Sequence, residues 1–296
     1  MPSSKSSTNR HSVRDALRAR PKDGRVDLAT VDPSETNGVQ RHWSDERTLA
    51  DEEHVMQLQV RLHAEAKRSV LVVLQGMDTS GKDGTVRYAL RGLNPQGVRI
   101  FSFKAPSASE RRHDFLWRIE RALPKPGEIV IFNRSHYEDV LIARVKGLAS
   151  PAVIRKRYAI INRFEDAVAR GGTAIVKVYL HISEGEQRRR LVGRLNDPDK
   201  HWKLSDGDIT ERAYWGAYQQ AYAIAIGRCS PAASPWYVVP ANRKWYRNWA
   251  VTQILIEEME AMKSNYPNPQ LDVRALKRSL SSNVDRPSGK RGKRAA

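Results

Sequence analysis

The sequence predicts a three-layer α/β/α domain built on a parallel sheet, and three observations support this fold class. Short apolar segments recur along the chain, longer segments of helical character separate them, and a glycine-rich loop directly follows the first one. Apolar strands that alternate with helices are typical of a parallel sheet covered on both faces. The predicted strands are residues 70–75, 98–103, 129–133, 174–180 and 236–239.

The segments that precede or connect the predicted strands show patterns typical of helices. Residues 48–68 predict a helix before the first strand, and residues 85–93 predict one directly after the glycine-rich loop. Residues 110–123 also have helical character. In residues 153–170 the apolar side chains recur at steps of three or four, which indicates a helix with one buried face.

Composition limits the class of protein. The 296 residues are 40% hydrophobic and 28% charged, which is enough apolar material for a folded core. No apolar run approaches the ~20 residues that cross a bilayer, and the first residues lack the apolar segment of a secretory signal. The single cysteine, Cys229, excludes an intramolecular disulfide framework and a cysteine-cluster metal site. We therefore expect a cytoplasmic protein without a membrane segment.

Basic residues outnumber acidic residues by 51 to 33, which gives a net charge of +18. Residues 1–44 and 264–296 are rich in Ser, Pro and basic residues, and predict flexible basic arms around one domain, residues 45–263. Residues 1–30 and 272–296 carry +4 and +6, so the rest of the chain carries +8. A basic body suits nucleic acid, nucleotide phosphates, an inorganic polyanion or an anionic membrane; a solvated positive surface is the alternative.

The glycine-rich loop matches the phosphate-binding pattern G-x-x-x-x-G-K-[ST] in all but its last position, where Asp83 replaces Ser or Thr. Glycines allow the backbone N–H groups of such a loop to converge on phosphate oxygens, and the following helix adds a favourable dipole. Lys82 supplies a positive charge for the phosphate chain. The expected phosphate-binding residues of the loop are Gly76, Met77, Asp78, Thr79, Ser80, Gly81, Lys82, Asp83 and Gly84.

Two carboxylates in this loop predict a bound cation. A carboxylate repels phosphate unless a positive group lies between them, so Asp78 and Asp83 indicate Mg²⁺ that bridges protein and phosphates. Asp78 is the stronger candidate metal ligand. Asp83 either replaces the missing hydroxyl at the metal or caps the following helix.

Polar residues follow the third predicted strand, at the sheet edge where ligands bind in such folds. Asn133 ends the strand and Arg134 is placed to bind a phosphoryl group. Glu138 and Asp139 are placed to meet a second metal or the acceptor. His136 is expected to pack or to form hydrogen bonds rather than to act as a base, because no catalytic triad is visible. The alternative is a polar loop with a surface arginine.

A basic helix is predicted after the fourth strand. Arg190 and Arg194 are four residues apart and share a helical face, and Asp197 and Pro198 end the helix. This arrangement resembles the lid of nucleotide kinases, which closes over the donor, excludes water and supplies positive charge to the transition state. We place this lid at about 184–208, with a basic surface helix as the alternative.

Five motifs, taken in order, resemble the polyphosphate kinase 2 family. The resemblance covers about 45–263 and implies a P-loop phosphotransferase that moves a phosphoryl group between inorganic polyphosphate and nucleotides with Mg²⁺. It also implies a homo-oligomer, either a dimer or a tetramer. The motifs are GMDTSGKDGTV (76–86), SFKAP (102–106), HDFLWR (113–118), FNRSHYEDV (132–140) and DPDKHWK (197–203).

The same resemblance implies roles for individual residues. Asp78 falls at the metal site, Arg134 faces the transferred phosphoryl group, and Arg190 and Arg194 belong to the lid. Residues in two further motifs and in the lid are expected to line a polyphosphate channel. They are Lys104, Arg118 and Lys203.

One motif departs from the common pattern of the family. Many members have Asp-Arg-Ser-Trp-Tyr-Asn where this chain has Asn-Arg-Ser-His-Tyr-Glu, from Asn133 to Glu138. Asn133 removes one charge and one candidate metal ligand. The His-Tyr-Glu version of the motif, with Glu138 in place of Asn, resembles that of the subgroup that accepts both nucleoside mono- and diphosphates. We expect Glu138 to hold a Mg²⁺ ion that positions the α-phosphate of AMP, and the alternative is that it only caps the following helix.

The sequence therefore predicts reversible phosphoryl transfer from polyphosphate to adenine or guanine nucleotides, converting AMP to ADP and ADP to ATP. The main alternative is an ATP-dependent nucleoside monophosphate kinase with the same loop and lid. A nucleic-acid-binding protein with a degenerate phosphate loop is a weaker alternative, which predicts salt-sensitive DNA binding and no phosphoryl transfer.

Overall fold

The computed structural model describes residues 12–204, 206–268 and 271–284. The chain forms two compact units, of which the first extends to Asn265 and the second begins at Tyr266. Within the described ranges, no helix is long and apolar enough to cross a membrane.

A five-stranded parallel sheet forms the centre of the first unit and confirms the predicted α/β fold class. Its strands are β1 (Ser69–Gly76), β2 (Val98–Ser102), β3 (Ile129–Asn133), β4 (Thr173–His181) and β5 (Trp236–Pro240). They lie in the order β2-β3-β1-β4-β5, and each neighbouring pair is parallel. All five predicted strands are present, because short apolar runs are stable as strands when helices cover both faces.

The strand order brings the carboxyl ends of three strands together. β1 lies between β3 and β4, with Leu74 opposite Asn133 and Gly76 opposite Leu180. The chain leaves β1 toward one edge of the sheet and later returns to the other side of β1. The order of the strands therefore reverses beside β1, and ligands bind at such a switch point in open α/β sheets.

Helices cover both faces of the sheet. Trp236 and Tyr237 are consecutive in β5 and so point to opposite faces; Trp236 packs against Tyr137, whereas Tyr237 accepts a hydrogen bond from Arg14. The helices of the first unit are α1 (Val13–Leu17), α2 (Arg41–Glu65), α3 (Lys82–Ala89), α4 (Trp117–Glu120), α5 (Ile142–Val145), α6 (Pro151–Arg170), α7 (Glu184–Leu195), α8 (Asp206–Thr210), α9 (Trp215–Arg228) and α10 (Lys244–Met262), and the second unit contains α11 (Val273–Val284).

The predicted helix over 153–170 is confirmed as α6, whereas the continuous helix over 110–123 is wrong. The latter segment holds a 3₁₀ turn, Glu110–Arg112, followed by the short α4. Between them, the Asp114 carboxylate accepts a hydrogen bond from the Leu116 N–H (2.9 Å). Such a local side-chain bond competes with the backbone bonds of a helix, so it starts a new turn instead.

The N-terminal segment is packed from residue 12 onward, so the expectation of a flexible arm over 1–44 is wrong for its described part. Leu17 and Leu28 are buried in the core. The Ala19 N–H donates to the Trp236 carbonyl (2.8 Å), which covers the outer edge of β5. Beyond α1 the segment is irregular, so its apolar residues have no period that a sequence pattern detects. The first eleven residues lie outside the described residues.

The second unit contains α11, in the part of the chain that was expected to be a flexible basic tail. Leu276 and Leu280 are exposed on this helix. Serine and basic residues dominate the composition of the segment, which is why the sequence pattern favours an irregular tail there. Residues 285–296 lie outside the described residues.

Candidate active site

The phosphate loop joins β1 to α3 and includes three residues with positive φ. Gly76 ends β1 with φ 156°, Thr79 has φ 62°, and Gly81 has φ 105° directly before α3. A Cβ at Gly76 would lie 2.6 Å from Ser80 Oγ and 2.9 Å from Leu180 O, so only glycine fits there. This tight turn places the N-terminus of α3 at the sheet edge, where the helix N–H groups can donate hydrogen bonds to a phosphate.

Lys82 is the first residue of α3, and its ammonium group lies against the loop. The side chain is buried, and Nζ donates hydrogen bonds to the carbonyls of Gly76 (2.8 Å) and Met77 (3.2 Å). Burial, together with the nearby Arg134, lowers the pKa of Lys82 to about 8. An anion at the loop would favour the charged form, so phosphate and this cation stabilise each other.

Arg134 connects the loop to the turn that follows β3. It adopts a left-handed conformation (φ 64°), and its Nη2 lies 2.6 Å from Asp78 Oδ1. Its Nη1 lies 3.5 Å from Glu138 Oε2. Although burial opposes its charge, Glu138 and Asp78 raise the pKa of Arg134 above its ordinary value. The structure thus brings together three candidate residues from two separate motifs.

Asp83 and Asn133 form a contact that the sequence did not predict. Asn133 Nδ2 donates a 2.8 Å hydrogen bond to Asp83 Oδ1. Gly81 occupies the N-cap of α3 without a side-chain cap, so the capping role considered for Asp83 is wrong. Asp83 lies in the first turn, where the helix dipole favours a carboxylate. An aspartate at position 133 would face this carboxylate, and asparagine removes that repulsion.

The predicted lid begins with α7, whose first turns are attached to the phosphate loop. Gln187 Nε2 donates to the Asp78 carbonyl (3.2 Å). Arg190 Nη1 donates to the carbonyls of Thr79 (2.8 Å) and Ser80 (2.9 Å). This part of the lid therefore supports the loop from the backbone side, rather than standing free above it.

A cleft of about 1270 Å³ opens over the phosphate loop. Within it, Arg194 Nη1 donates to the carbonyl of Lys203 (3.3 Å). The acidic residues that line the cleft are Asp78, Asp83 and Glu186. Its basic lining residues are Arg41, Lys82, Lys104, Arg134, Arg189, Arg190, Arg194, Lys200, Lys203, Lys244 and Arg247. This excess of cations suits a ligand with many negative charges.

The two expected channel residues of the central motifs lie in different places. Lys104 lines the cleft, whereas Arg118 lines a neighbouring cavity of about 460 Å³. Arg118 Nη1 donates to the Lys104 carbonyl (2.8 Å), and its guanidinium packs over the Phe103 ring. In this structure Arg118 supports the strand end that carries Lys104.

A buried polar cluster holds the turn after β3. Tyr137 OH donates to Glu165 Oε1 (2.7 Å), and His136 Nε2 lies 3.2 Å from the same oxygen. Lys177 Nζ pairs with Glu165 Oε2. Although burial opposes ionisation, Lys177 and His136 lower the pKa of Glu165. His136 therefore takes part in hydrogen bonding, as predicted, and the cluster anchors the turn through its buried side chains.

Carboxylates beside Arg134 offer oxygen ligands for one cation. Asp78 and Glu138 both contact this arginine, and a phosphate at the loop would add further oxygens. In the described part of the chain, no three His, Cys, Asp or Glu side chains form a metal-binding cluster. Mg²⁺ is usually held by one or two carboxylates with substrate phosphates and water, so these donors fit Mg²⁺ that binds together with its substrate.

Sequence reasoning missed Arg247, which lies on α10 close to the phosphate loop. Its side chain is buried, and its Nη1 lies 3.5 Å from the Ser80 carbonyl. The basic segment 243–247 follows β5 directly, at the same sheet edge as the phosphate loop. That position was the one signal that could have placed Arg247 at the site.

Comparison with known protein families identifies the family of this chain. The family model described as polyphosphate kinase 2 matches residues 39–267, which is most of the sequence. The chain belongs to the polyphosphate kinase 2 family. For this polyphosphate kinase 2 protein, the matched region extends beyond 45–263 at both ends, and it includes the last residues of the packed N-terminal segment.

Similar proteins cover most of the chain. The AMP/ADP-polyphosphate phosphotransferase of Meiothermus ruber is 47% identical over 250 residues, or 84% of this chain and 94% of its own. The ADP-polyphosphate phosphotransferase of Rhodopseudomonas palustris is 45% identical over 227 residues, or 73% of this chain and 78% of its own. The crystal structure of polyphosphate kinase 2 from Arthrobacter aurescens TC1 is 43% identical with a TM-score of 0.88, covering 92% of this chain and 97% of that one. The fold of this polyphosphate kinase 2 protein is therefore that of its solved relative.

Proposed function

We propose that the protein transfers phosphoryl groups between inorganic polyphosphate and adenine nucleotides, with both AMP and ADP as acceptors. The observation that carries this proposal is the cleft, in which basic side chains extend well beyond the phosphate loop. A nucleotide has few phosphates, whereas a polyphosphate chain needs cations along its whole path. The names of the two similar phosphotransferases support the same donor.

Different residues of the cleft have different roles in the transfer. Lys82 and the loop amides hold a phosphate group, and Arg134 stabilises charge on the transferred phosphoryl group. Arg194 and Lys203 bind the polyphosphate chain further along the cleft. The loose transition state of phosphoryl transfer requires mainly positioning and charge neutralisation, and these cations provide both.

The donor distinguishes this proposal from an ATP-dependent nucleoside monophosphate kinase. The purified protein is incubated with AMP, Mg²⁺ and either polyphosphate or ATP as the sole donor, and ADP is measured by chromatography. We expect ADP formation to depend on polyphosphate. Product formed with ATP at an equal or higher rate would show that the donor assignment is wrong.

Mg²⁺ is part of the proposal, with Asp78 and Glu138 as its protein ligands. Asp78 and Glu138 each contact the guanidinium of Arg134, Asp78 at Nη2 and Glu138 at Nη1. A divalent cation bound there would neutralise phosphate charge and orient the reacting oxygens. Asn133 is not included, because its amide donates a hydrogen bond to Asp83.

Glu138 is proposed to decide acceptor choice. AMP is one phosphoryl unit shorter than ADP, so a site that serves both must hold the α-phosphate of AMP within reach of the donor. A carboxylate repels phosphate unless a cation lies between them, so Glu138 acts through Mg²⁺. We expect Glu138→Asn to lower kcat/KM for AMP at least about tenfold more than for ADP.

Asp139→Asn is the matched control for that change. It removes a carboxylate from the same turn, but Asp139 interacts with Arg157 and lines the neighbouring cavity. We expect it to alter both acceptors to the same extent. An equal loss of both activities in Glu138→Asn, or no AMP phosphorylation by the wild type, would refute the role of Glu138.

Guanine nucleotides as further acceptors, a homo-oligomer and a cytoplasmic location complete the proposal. Exposed apolar side chains on α2, among them Leu49, Met56 and Val60, support association between copies. Activity with GDP, light scattering in solution and cell fractionation test the three points separately. A monomer at micromolar concentration would exclude the oligomer.

A further inference from the structure

The guanidinium of Arg190 uses every N–H it has on the protein itself. Nε donates to Glu186 Oε1 (2.6 Å), and Nη1 donates to the carbonyls of Thr79 (2.8 Å) and Ser80 (2.9 Å). Nη2 donates to the carbonyls of residues 241 and 242 (2.6 and 3.1 Å). These account for all five N–H donors of an arginine. The side chain is only 10% exposed, so this is a packed arrangement.

Arg247 approaches the same part of the loop from α10. Its Nη1 lies 3.5 Å from the Ser80 carbonyl, and its Nη2 donates to Asn248 Oδ1 (2.7 Å). A Cβ at Gly81 would lie 1.8 Å from Arg247 Nη1, and a Cβ at Gly84 would lie 3.0 Å from Nη2. The two glycines therefore leave the space that this buried guanidinium occupies.

One peptide plane connects the two arginines to phosphate binding. In a trans peptide the C=O of Ser80 and the N–H of Gly81 point in opposite directions. Both Arg190 and Arg247 contact the Ser80 carbonyl. They fix its direction, and so they also fix the direction of the Gly81 N–H. Backbone N–H groups of such a loop are the donors that bind phosphate, so the two side chains control a binding group without touching the ligand.

The charges of the pair favour an anion at the loop. Arg190 has an ion pair with Glu186, whereas Arg247 has no ion pair with a carboxylate in the described part of the chain. Burial and the nearby Arg190 lower the pKa of Arg247 to about 10, so Arg247 is still cationic at neutral pH. An arginine side chain stays charged in proteins, so Arg190 is cationic as well. Two buried cations of like charge repel each other, and a bound polyanion offsets that repulsion.

We propose that Arg190 and Arg247 are positioning residues that hold the phosphate loop in its binding geometry, and that Arg190 does not contact the transferred phosphoryl group. The lid residue that meets the phosphate chain is then Arg194, one turn further along α7. The proposal rests on the proposed function only for the identity of the phosphate ligand.

Hydrogen–deuterium exchange of the ligand-free, full-length protein tests the positioning role directly. In Arg190→Lys and in Arg247→Lys we expect faster exchange in peptides covering 76–85, because lysine keeps the charge but cannot bond several carbonyls at once. Arg194→Lys is the matched control, since it alters an arginine one turn away on the same helix. We expect its loop to exchange as in the wild type. Unchanged exchange in both positioning variants would overturn the proposal.

Binding of tripolyphosphate, measured by calorimetry, separates positioning from direct contact. We expect Arg190→Lys and Arg247→Lys to raise the Kd for tripolyphosphate and the KM for polyphosphate about tenfold or more, at a melting temperature close to that of the wild type. A fall in kcat alone, with Kd and loop exchange unchanged in Arg190→Lys, would mean that Arg190 acts in the transition state and would overturn its positioning role.

Two further outcomes keep this test separate from that of the proposed function. Should the wild type fail to bind tripolyphosphate while loop exchange still responds to both substitutions, the donor assignment fails and the positioning role stands. Should Arg190→Lys not fold, Arg247→Lys carries the same measurements, and wild-type behaviour in that variant would refute the proposal.

Discussion

Single residues of the site combine charge with burial. Lys82 and Arg247 are both less than a tenth exposed, and both have a lowered pKa. A buried cation is unfavourable unless an opposite charge accompanies it. The loop therefore favours anions for a physical reason: phosphate adds negative charge beside these two buried cations.

Removal of the Lys82 charge is the first test at this scale. Lys82→Ala should lower kcat by about a hundredfold or more, because the ammonium group stabilises the phosphates during transfer. The fold should survive, because the substitution removes a buried charge rather than a core side chain. Lys156→Ala, an exposed lysine outside the cleft, is the control and should retain wild-type turnover. Retention of more than about a tenth of the activity by Lys82→Ala would remove the loop from the mechanism.

Asp78 is tested through its metal dependence. Asp78→Asn should lower the rate and raise the Mg²⁺ concentration needed for half-maximal activity, because an amide is a weaker ligand for a hard cation than a carboxylate. Titration of activity with Mg²⁺ measures both effects. Asp166→Asn, on the exposed surface of α6, should leave the titration unchanged. An unaltered Mg²⁺ titration for Asp78→Asn would exclude Asp78 as a ligand.

Among the structural elements, the turn after β3 shows how a buried framework presents two charged groups. Arg134 contacts Asp78 of the phosphate loop and pairs with Glu138, whereas His136 and Tyr137 point into the protein and reach Glu165. The three buried residues 135–137 make the turn rigid, because each buried polar group needs its partner.

Tyr137→Phe tests this framework. The substitution removes the hydroxyl that donates to Glu165 and accepts from Lys177, so we expect a loss of about 1–3 kcal/mol in the free energy of unfolding together with a several-fold lower kcat. Tyr237→Phe is the matched control, since it removes a buried hydroxyl on the opposite face of the sheet. It should cost similar stability and leave kcat unchanged. Equal kcat in both variants would show that the cluster does not position the site.

The whole molecule includes the N-terminal segment as part of its core. Leu17 is 6% exposed, and the segment covers the outer edge of β5 through the Ala19 N–H. It also meets the site, because Asn242 donates from its backbone to the Pro33 carbonyl, and Asn242 in turn binds Arg190 through its own carbonyl. The segment therefore stabilises the residues that directly follow β5, and these residues bind Arg190 of the lid helix.

Leu17→Ala distinguishes a packed segment from a flexible arm. Loss of a buried leucine side chain should lower the free energy of unfolding by about 2–5 kcal/mol, measured by urea denaturation. Leu276→Ala, at an exposed position of α11, should change it by no more than about 0.5 kcal/mol. A Leu17 variant as stable as the wild type would mean that the segment is detached in solution.

Much of the framework was predictable from the sequence, because it depends on local patterns. The five strands are largely apolar runs, and the glycines and Lys82 of the phosphate loop have a spacing that one turn between strand and helix requires. Arg134 and Glu138 could be placed at the same edge, because the carboxyl ends of parallel strands meet there. The helix over 110–123 failed for a local reason, since one aspartate side chain interrupted a pattern that otherwise favours helix.

Only the tertiary structure decided which side chains meet across the chain. The Ser80 carbonyl and Arg247 are 167 positions apart, and the Asn133 amide and Asp83 are 50 positions apart. It also decided that Arg190 faces loop carbonyls, and that residues 12–40 pack on the domain. Local periodicity and motif spacing carry no information about such pairs, because contacts between distant residues depend on how helices and strands pack together. The sequence by itself determined the sheet, the loop and the family's chemistry, and the packing of α7, α10 and the N-terminal segment determined how the loop is held.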